Sequence, residues 1–390
     1  MRVLFTSWAW PTHFFPLVPL AGAFRLAGHE VLVATQPGLV PRVLASGLPA
    51  IAVGSDTDIG DVIAAAARRA AEQPGPPMEW EHLRPYRSRP FRAYVGVAEA
   101  MVDGLAGVVS GWGADLIVSE PTTYAGALAG ALAGVKVVRH TWGIDFAYLQ
   151  REFEEEALAG LCERLGLAGV ETLGEVSVDP CPPRLQVPDT GWVPVPVRRL
   201  PMRYVPFNGV GVVPGWLAGL PRRPRICVTW GRTSQLFGPR AMRAGDVVRA
   251  LAGLGAELVV AVSGSGAELL GEVPEGVRVV VDVPLSGLLP SCDVLVSQGG
   301  LGTVMTGAVC GVRQVVVPLL ADTVLNGRRL AAVGAGELVF AQEIAGGGLR
   351  AAVERVLGLA CYGEAAGALR AELAGLPGPA DIVTTLTTAV

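Results

Sequence analysis

Uninterrupted apolar runs alternate along this chain with longer stretches in which apolar residues recur at helical spacing. Such runs are typical of parallel strands that are covered by helices on both faces. In the first half they predict strands at RVLFT, EVLVAT, PAIAVG, ADLIVSE and VKVVRHT, with a loop-rich stretch before ADLIVSE. Between them, FPLVPLAGAFRLAGH, LVPRVLASG and the Ala/Gly-rich YAGALAGALAG predict helices.

The same alternation of apolar runs and helical stretches begins again in the second half, after a segment rich in proline and glycine. Its predicted strands are RICVTWG, ELVVAVSG, VRVVVDV, VLVSQGG, RQVVVPL and GELVF. We therefore predict an α/β protein of two Rossmann-like, doubly wound domains that face each other across a cleft. The predicted boundaries are a first domain at 1–204, a linker at 205–224, a second domain at 225–374 and a tail with one last short helix at 375–390.

Composition narrows the class of protein. With 390 residues, 51% hydrophobic and 17% charged, the chain can form two large cores and is not expected to be disordered. A net charge of -4 without a long basic run argues against a nucleic-acid partner. The six cysteines show no CxxC spacing, so neither a zinc site nor a disulfide framework is predicted. No apolar run reaches the ~20 residues of a membrane span, and we expect a cytoplasmic protein.

A glycine-rich turn, within VSQGGLGT, is the strongest candidate for a ligand site. Gly299, Gly300 and Gly302 follow a predicted strand, and Thr303 stands at the start of the next helix. Glycines let a ligand approach the backbone, and the free N–H groups at a helix start bind anions, so a phosphate or diphosphate fits here. The spacing matches neither GxGxxG nor GxxxxGK(S/T). A tight strand-to-helix turn without a ligand is the alternative.

His13 follows the first predicted strand and enters the first helix, at the mouth of the predicted cleft. A neutral imidazole there can accept a proton from a substrate hydroxyl. Such a base needs an orienting partner, and Glu120 and Asp145 are the acidic candidates at the same sheet edge. The alternative is a histidine that is satisfied by local backbone groups.

Other polar residues follow strands of the second half. Asp322, with Asn326 one turn further along the helix, can accept hydrogen bonds from hydroxyl groups or simply cap that helix. Gly231, Thr233 and Ser234 offer small donors beside the glycine-rich turn, although such residues are ordinary in loops.

In this order, these elements resemble the GT-B glycosyltransferases that attach deoxysugars to antibiotics and macrolides. The resemblance rests on MRVLF…HFFPLVPLAGAFRLAGHEV, VDVPLSGLLPSCDVLVSQGGLGT and PLLADTVLNGRRLAAVGAG, and it spans nearly the whole chain. It implies an acceptor-binding N-terminal domain and a C-terminal domain that binds a nucleotide sugar. It also implies inverting, metal-independent transfer from a TDP-sugar co-substrate, without a cofactor, in which helix N–H groups stabilise the leaving diphosphate.

The resemblance also assigns roles to single residues. His13 becomes the base that deprotonates the acceptor, and Glu120 falls near the place where the family often has a supporting aspartate. The implied donor-binding residues are Val283 and Leu285 at the nucleobase, Gly299, Gly300, Gly302 and Thr303 at the diphosphate, and Asp322 at the sugar hydroxyls, with Gly231, Thr233 and Asn326 close by.

Two positions depart from the family pattern. Gln298 stands where a histidine usually contacts the diphosphate, and its amide can donate a hydrogen bond but carries no charge. Thr323 stands where relatives of the glucosyltransferase type usually have glutamine, which favours a donor with fewer hydroxyls.

An apolar, aromatic pocket for a natural-product aglycone is expected on the N-terminal side, although such residues are more often core. The candidates are Trp8, Trp10, Phe14, Met78, Trp80, Tyr94, Trp142 and Phe146. Nearby, Arg84, Arg87, Arg89 and Arg92 form a basic cluster that is usually a solvated face, with an acidic acceptor group as the alternative.

Two other functions stay open at this point: a sugar-nucleotide epimerase on the same scaffold, and a degenerate scaffold or auxiliary relative, which the glutamine at 298 favours. An NAD-dependent oxidoreductase ranks last, because neither half has a GxGxxG turn followed by an acidic residue. The sugar, the aglycone, the atom attacked, a homodimer and the need for an auxiliary protein are not decided by the sequence.

Overall fold

The computed structural model describes residues 1–72, 77, 79, 81–82, 91–187, 198–219, 221–231, 238 and 241–388. Some residues singled out in the sequence lie outside the described residues: Met78, Trp80, Arg84, Arg87, Arg89, Thr233 and Ser234.

The first half folds into a parallel, seven-stranded sheet in the order β3-β2-β1-β4-β5-β6-β7. Its strands are β1 (Arg2–Thr6), β2 (Glu30–Thr35), β3 (Ala50–Ala52), β4 (Leu116–Ser119), β5 (Val137–His140), β6 (Val176–Asp179) and β7 (Arg198–Pro201). Its helices are α1 (Pro11–Phe14), α2 (Val18–Leu26), α3 (Val40–Ala45), α4 (Ile59–Glu72), α5 (Arg92–Trp112), α6 (Tyr124–Ala133) and α7 (Glu154–Arg164). The strand order reverses between β1 and β4, so ligands are expected at the carboxyl ends of these two strands.

The second half forms a parallel, six-stranded sheet in the order β10-β9-β8-β11-β12-β13. Its strands are β8 (Arg225–Thr229), β9 (Glu257–Val262), β10 (Arg278–Val281), β11 (Val294–Ser297), β12 (Arg313–Val316) and β13 (Gly336–Leu338). Its helices are α8 (Ala244–Leu251), α9 (Gly264–Glu268), α10 (Leu285–Leu288), α11 (Leu301–Cys310), α12 (Ala321–Ala332), α13 (Gly348–Gly358), α14 (Ala360–Gly375) and α15 (Pro379–Thr388). Here the order reverses between β8 and β11.

The strands predicted from apolar runs are all present, and the predicted doubly wound α/β class is confirmed. The sequence missed β6 and β7, because VSVD and RRLP are only four residues long and neither is an uninterrupted apolar run. It also described the stretch before β4 as loop-rich, which was wrong, since α4 and α5 lie there.

Among the described residues, one helix, α5, is long and apolar enough to cross a membrane by length and composition. It packs against α6 and contributes Val97, Met101 and Leu105 to an apolar cluster beneath the first sheet. This is the environment of a core helix. At the other end of the chain, α15 packs against α2 and places Ile382 in the core of the first half.

The two halves share one apolar cluster, which fixes how the sheets face each other. Loops of the first half contribute Ile144 and Leu185, and α11 contributes Met305. The two halves approach each other closely at Gly143, which has a φ of 145°. A Cβ there would lie 2.8 Å from Cγ of Met305 and 3.1 Å from Cδ1 of Leu301. The loop after β5 therefore lies directly on the helix that follows the glycine-rich turn.

We expect Gly143→Ala to lower the free energy of unfolding by roughly 1–3 kcal/mol, because the added methyl group must displace Met305. Gly107→Ala is the matched control, since nothing lies within 4 Å of its Cβ position in the middle of α5. That substitution should stabilise the protein by up to about 1 kcal/mol. Urea denaturation of both variants measures the difference. A Gly143→Ala protein as stable as the wild type would contradict the described contact.

Candidate active site

The carboxyl ends of the two sheets enclose a cavity of about 370 Å³ that is lined by both halves of the chain. Many of the predicted site residues line it: Trp10, His13, Tyr94, Trp142, Phe146, Gly231, Val283, Leu285, Gln298, Gly300, Gly302, Thr303, Asp322, Thr323 and Asn326. Arg92, the described member of the basic cluster, is exposed and does not line it.

His13 lies on α1, which begins at Pro11 directly after the loop that leaves β1. Its side chain is 17% exposed, and its ring lies against the Trp142 ring with centroids 4.0 Å apart. Nδ1 of His13 lies 3.4 Å from Oε2 of Glu120. The structure therefore places the predicted base beside the first of its two predicted partners.

Glu120 is fully buried and is held by the two residues after the proline that follows it. Oε2 accepts a hydrogen bond from the Thr122 N–H at 3.0 Å, and the Thr122 hydroxyl lies 3.0 Å from both carboxylate oxygens. The Thr123 hydroxyl donates to Oε1. These hydrogen bonds fix the position of the buried carboxylate beside His13.

Asp145, the other predicted partner of His13, pairs with an arginine instead. Its carboxylate forms two hydrogen bonds of 2.8 Å with the buried Arg139, and its backbone N–H donates to Gln186. Burial opposes ionisation of Asp145, but Arg139 and Arg199 hold its pKa below the ordinary value. Asp145 therefore anchors the loop after β5, which carries Trp142.

Two of the predicted acceptor residues do not line the cavity. Trp8 is 1% exposed, and its indole N–H lies 3.0 Å from Oγ1 of Thr122 and 3.1 Å from Nδ1 of His13. Phe14 is fully buried in the core of the first half, where α1 turns it away from the cavity. The neighbouring Phe15 lines the cavity instead.

The glycine-rich turn is built as the sequence suggested. Gly299 has a φ of 85°, and a Cβ there would lie 2.6 Å from Cγ1 of Val316, so other residues do not fit. Its carbonyl accepts a hydrogen bond from Nδ2 of Asn326 at 2.8 Å. Asn326 thus supports the turn with its amide, in addition to lining the cavity.

The turn places the start of α11 at the cavity. Gly300 precedes α11, whose first N–H groups belong to Leu301 and Gly302, and all three residues line the cavity. Such N–H groups have no partner within their own helix and bind anions. The geometry therefore suits a phosphate or diphosphate group.

Gln298 lies at the lip of this turn, between two glycines. Its Nε2 is 2.7 Å from the position a Cβ would take at Gly231 and 2.8 Å from that at Gly300. Side chains at either glycine would displace the amide. Oε1 of Gln298 is buried and has no hydrogen-bond partner among the described residues. Of the two ends of this amide, only the Nε2 end can donate a hydrogen bond to an anionic ligand beside the helix start.

Asp322 and Thr323 differ in what they offer to a ligand. Asp322 lines the cavity as the second residue of α12, after Leu320 as the N-cap, so it is not the cap itself. Burial raises the pKa of its carboxyl group. The Thr323 hydroxyl accepts hydrogen bonds from the N–H groups of Leu319 and Leu320 at 3.1 and 3.0 Å and donates to the Leu320 carbonyl. This hydroxyl, on the third residue of α12, is therefore engaged with the backbone around the N-cap Leu320, while Thr323 also lines the cavity.

Several cavity residues were missed in the sequence. Tyr204, Phe207 and Asn208 come from the segment around the predicted linker, whose aromatic and amide residues were the available signal. The Asn208 amide donates to the Thr306 hydroxyl and accepts from the Ser286 N–H, and Phe207 packs edge-on against Phe15. This segment therefore contacts both halves at the cavity.

A further buried carboxyl group, Glu154, lies behind the cavity wall. The hydroxyl of Tyr124, a lining residue, donates to its Oε1 at 3.0 Å, and the Thr172 hydroxyl donates to its Oε2. Burial raises the pKa of Glu154 to about 7, although these hydrogen bonds and the nearby Arg139 act in the opposite direction.

The sequence matches a known protein family over most of its length. Residues 22–231 match the family described as the erythromycin biosynthesis protein CIII-like N-terminal domain, and residues 246–389 match its C-terminal domain. The chain is 36% identical to 10-deoxymethynolide desosaminyltransferase of Streptomyces venezuelae, over 98% of this chain and 96% of that protein. It is 35% identical to tylactone mycaminosyltransferase of Streptomyces fradiae, over 98% and 91%.

Solved structures of glycosyltransferases are also similar to this chain. The chain is similar to spinosyn rhamnosyltransferase SpnG in complex with thymidine diphosphate, with a TM-score of 0.83 and 29% identity over 99% of this chain and 100% of that one. It is also similar to the glycosyltransferase VinC in complex with dTDP, with a TM-score of 0.81 and 30% identity over 100% and 99%.

We expect Glu154→Gln to gain stability over the wild type as the pH rises. Because the folded-state pKa is raised, the contribution of Glu154 is fully present below about pH 4 and is lost as the pH rises through 7. The free energy of unfolding of the variant, relative to the wild type, should rise by roughly 2–3 kcal/mol between pH 5 and pH 8. Denaturant unfolding at both pH values measures this. Glu155→Gln, on the exposed part of α7, controls for the loss of one charge. A constant difference between the Glu154 variant and the wild type would contradict the account.

Proposed function

The chain belongs to the erythromycin biosynthesis protein CIII-like family and is a GT-B glycosyltransferase, and from this we propose that it moves a deoxysugar from thymidine diphosphate to a natural-product aglycone. We propose that the transfer is direct, inverts the anomeric carbon and needs no metal ion or other cofactor. One observation carries this proposal. His13, which is paired with the buried Glu120, lines the same cavity as the start of α11, which suits a diphosphate.

On the acceptor side, His13 supplies the base. Its Nδ1 faces Glu120, Thr122 and Trp8, which leaves Nε2 to take the proton of an acceptor hydroxyl. As that proton moves to Nε2, the acceptor oxygen forms the bond to the anomeric carbon. The ionised Glu120 stabilises the imidazolium that results. The buried carboxylate thus contributes where charge develops, without touching either substrate.

On the donor side, the helix start holds the leaving group. As the glycosidic bond to the donor breaks, its electron pair goes to a diphosphate oxygen. The N–H groups of Leu301 and Gly302 and the positive end of α11 stabilise the negative charge that develops there. The Gln298 amide adds a neutral donor at the same place. Stabilisation by these groups is the basis for proposing a reaction without a metal ion.

The two substrates would occupy opposite parts of the cavity. Trp10, Trp142 and Phe146 give the N-terminal side an apolar surface for a polyketide-like acceptor. Val283 and Leu285, at the other end beside the exit of β10, are placed for the nucleobase. Thymidine diphosphate is the proposed nucleotide because SpnG and VinC, the similar structures, were solved with it. Both named curated relatives are transferases, which does not favour an epimerase or a degenerate scaffold.

Replacing His13 with alanine tests this proposal. We expect kcat for transfer to fall by roughly 10²–10⁴, the contribution of a positioned general base, while the affinity for thymidine diphosphate stays within a factor of two or so. Single-turnover assays with a nucleotide sugar and an aglycone, together with calorimetric titration of thymidine diphosphate, measure both quantities. His82→Ala is the matched control, since that exposed histidine does not line the cavity. Transfer by His13→Ala at a near-normal rate would show that His13 is not the base.

A further inference from the structure

Nδ1 of His13 has three polar neighbours that compete for the same nitrogen. The indole N–H of Trp8 lies at 3.1 Å, the hydroxyl oxygen of Thr122 at 3.2 Å and Oε2 of Glu120 at 3.4 Å. An indole N–H can only donate a hydrogen bond, an ionised carboxylate can only accept one, and a hydroxyl can do both. The neighbours therefore favour different tautomers of the neutral ring.

The tautomer decides whether the ring can act as a base. If Nδ1 accepts the hydrogen bond from Trp8, the single proton of the neutral ring sits on Nε2, and Nε2 cannot take a proton from the acceptor. If Nδ1 carries the proton and donates it to Glu120, the lone pair lies on Nε2, as catalysis requires. In that second form, however, the Trp8 N–H needs another acceptor.

Thr122 is placed to be that acceptor. Its hydroxyl oxygen lies 3.0 Å from Nε1 of Trp8, and its own proton can go to Glu120, whose two oxygens are both 3.0 Å away. With this arrangement every donor has an acceptor: Trp8 donates to Thr122, Thr122 donates to Glu120, and Nδ1–H of His13 donates to Glu120. All three partners are buried, so an unsatisfied donor among them would be costly.

We propose that Thr122 is a positioning residue that sets the tautomer of His13 by taking the indole N–H of Trp8. The proposal rests on the proposed function only in giving His13 the role of base. It adds that Trp8, which the sequence suggested as part of the acceptor pocket, is a competing donor behind the base. The loss of the Thr122 hydroxyl should return the Trp8 N–H to Nδ1 and move the ring proton to Nε2.

The direct test is nitrogen NMR of protein labelled with ¹⁵N-histidine, without substrates and at a pH where the ring is neutral. The chain has four histidines, and comparison with His13→Asn assigns the His13 signals. In the wild type, Nδ1 should carry the proton. In Thr122→Val, which has nearly the same shape, Nε2 should carry it, and kcat should fall by roughly 10- to 100-fold. Thr122→Ser keeps the hydroxyl and should retain the wild-type tautomer.

A double variant separates this role from a merely structural one. Adding Trp8→Phe to Thr122→Val removes the competing donor, so the Nδ1–H tautomer should return and kcat should rise at least several-fold above that of Thr122→Val. Thr123→Val is the matched control: its hydroxyl contacts the same carboxylate and accepts the backbone N–H of Trp8 at 2.9 Å, but it contacts neither Nδ1 of His13 nor Nε1 of Trp8, and the tautomer should not change. Thermal unfolding of each variant establishes that it is folded.

The outcomes distinguish this inference from the proposed function. An unchanged tautomer in Thr122→Val, or the same shift in Thr123→Val, would overturn the role of Thr122 even if His13→Ala abolishes transfer. A shifted tautomer with normal transfer would support the role of Thr122 in setting the ring proton and would show instead that His13 is not the base.

Discussion

The site depends on the apolar contact that holds the carboxyl edges of the two parallel sheets against each other. The candidate base follows the first strand of one sheet, and the anion-binding helix start follows a central strand of the other, so neither half contains a complete site. The cluster that includes Ile144, Leu185 and Met305 joins the halves, and Phe207 and Asn208 bridge them at the cavity. Chemistry at this site is thus a consequence of packing between domains.

One loop contacts both the candidate base, His13, and the helix proposed to bind the donor, α11. The buried pair of Arg139 and Asp145 anchors the loop after β5, which lays Trp142 against the ring of His13. In the same loop Gly143 touches the side chains of α11, the helix whose start is proposed to hold the diphosphate. The same loop therefore contacts both the candidate base and the helix proposed to hold the diphosphate.

The sequence predicted the parts of this protein that depend on local pattern. Apolar runs identified the buried strands, and the glycine spacing identified a turn whose left-handed residue, Gly299, accepts no side chain. The strands β6 and β7 were missed because four-residue strands of mixed composition give no apolar run. Roles that depend on which way a side chain faces could not be predicted: Asp145 meets Arg139 instead of His13, and Trp8 faces the back of the base. The hydrogen bond from the N-cap N–H of Leu320 to the Thr323 hydroxyl likewise appears only in three dimensions.

The most direct test of the central claim is the binding of thymidine diphosphate to the purified protein in the presence of a metal chelator. At about 100 times its dissociation constant, the nucleotide should stabilise the protein by roughly 2.7 kcal/mol, which a shifted unfolding midpoint reveals. The account predicts this shift for thymidine diphosphate, a smaller one for guanosine diphosphate and none for NAD. It also predicts that Gly300→Val, which displaces the Gln298 amide at the helix start, abolishes the shift. If no nucleoside diphosphate stabilised the wild-type protein, the assignment of the glycine-rich turn as the donor site would be wrong.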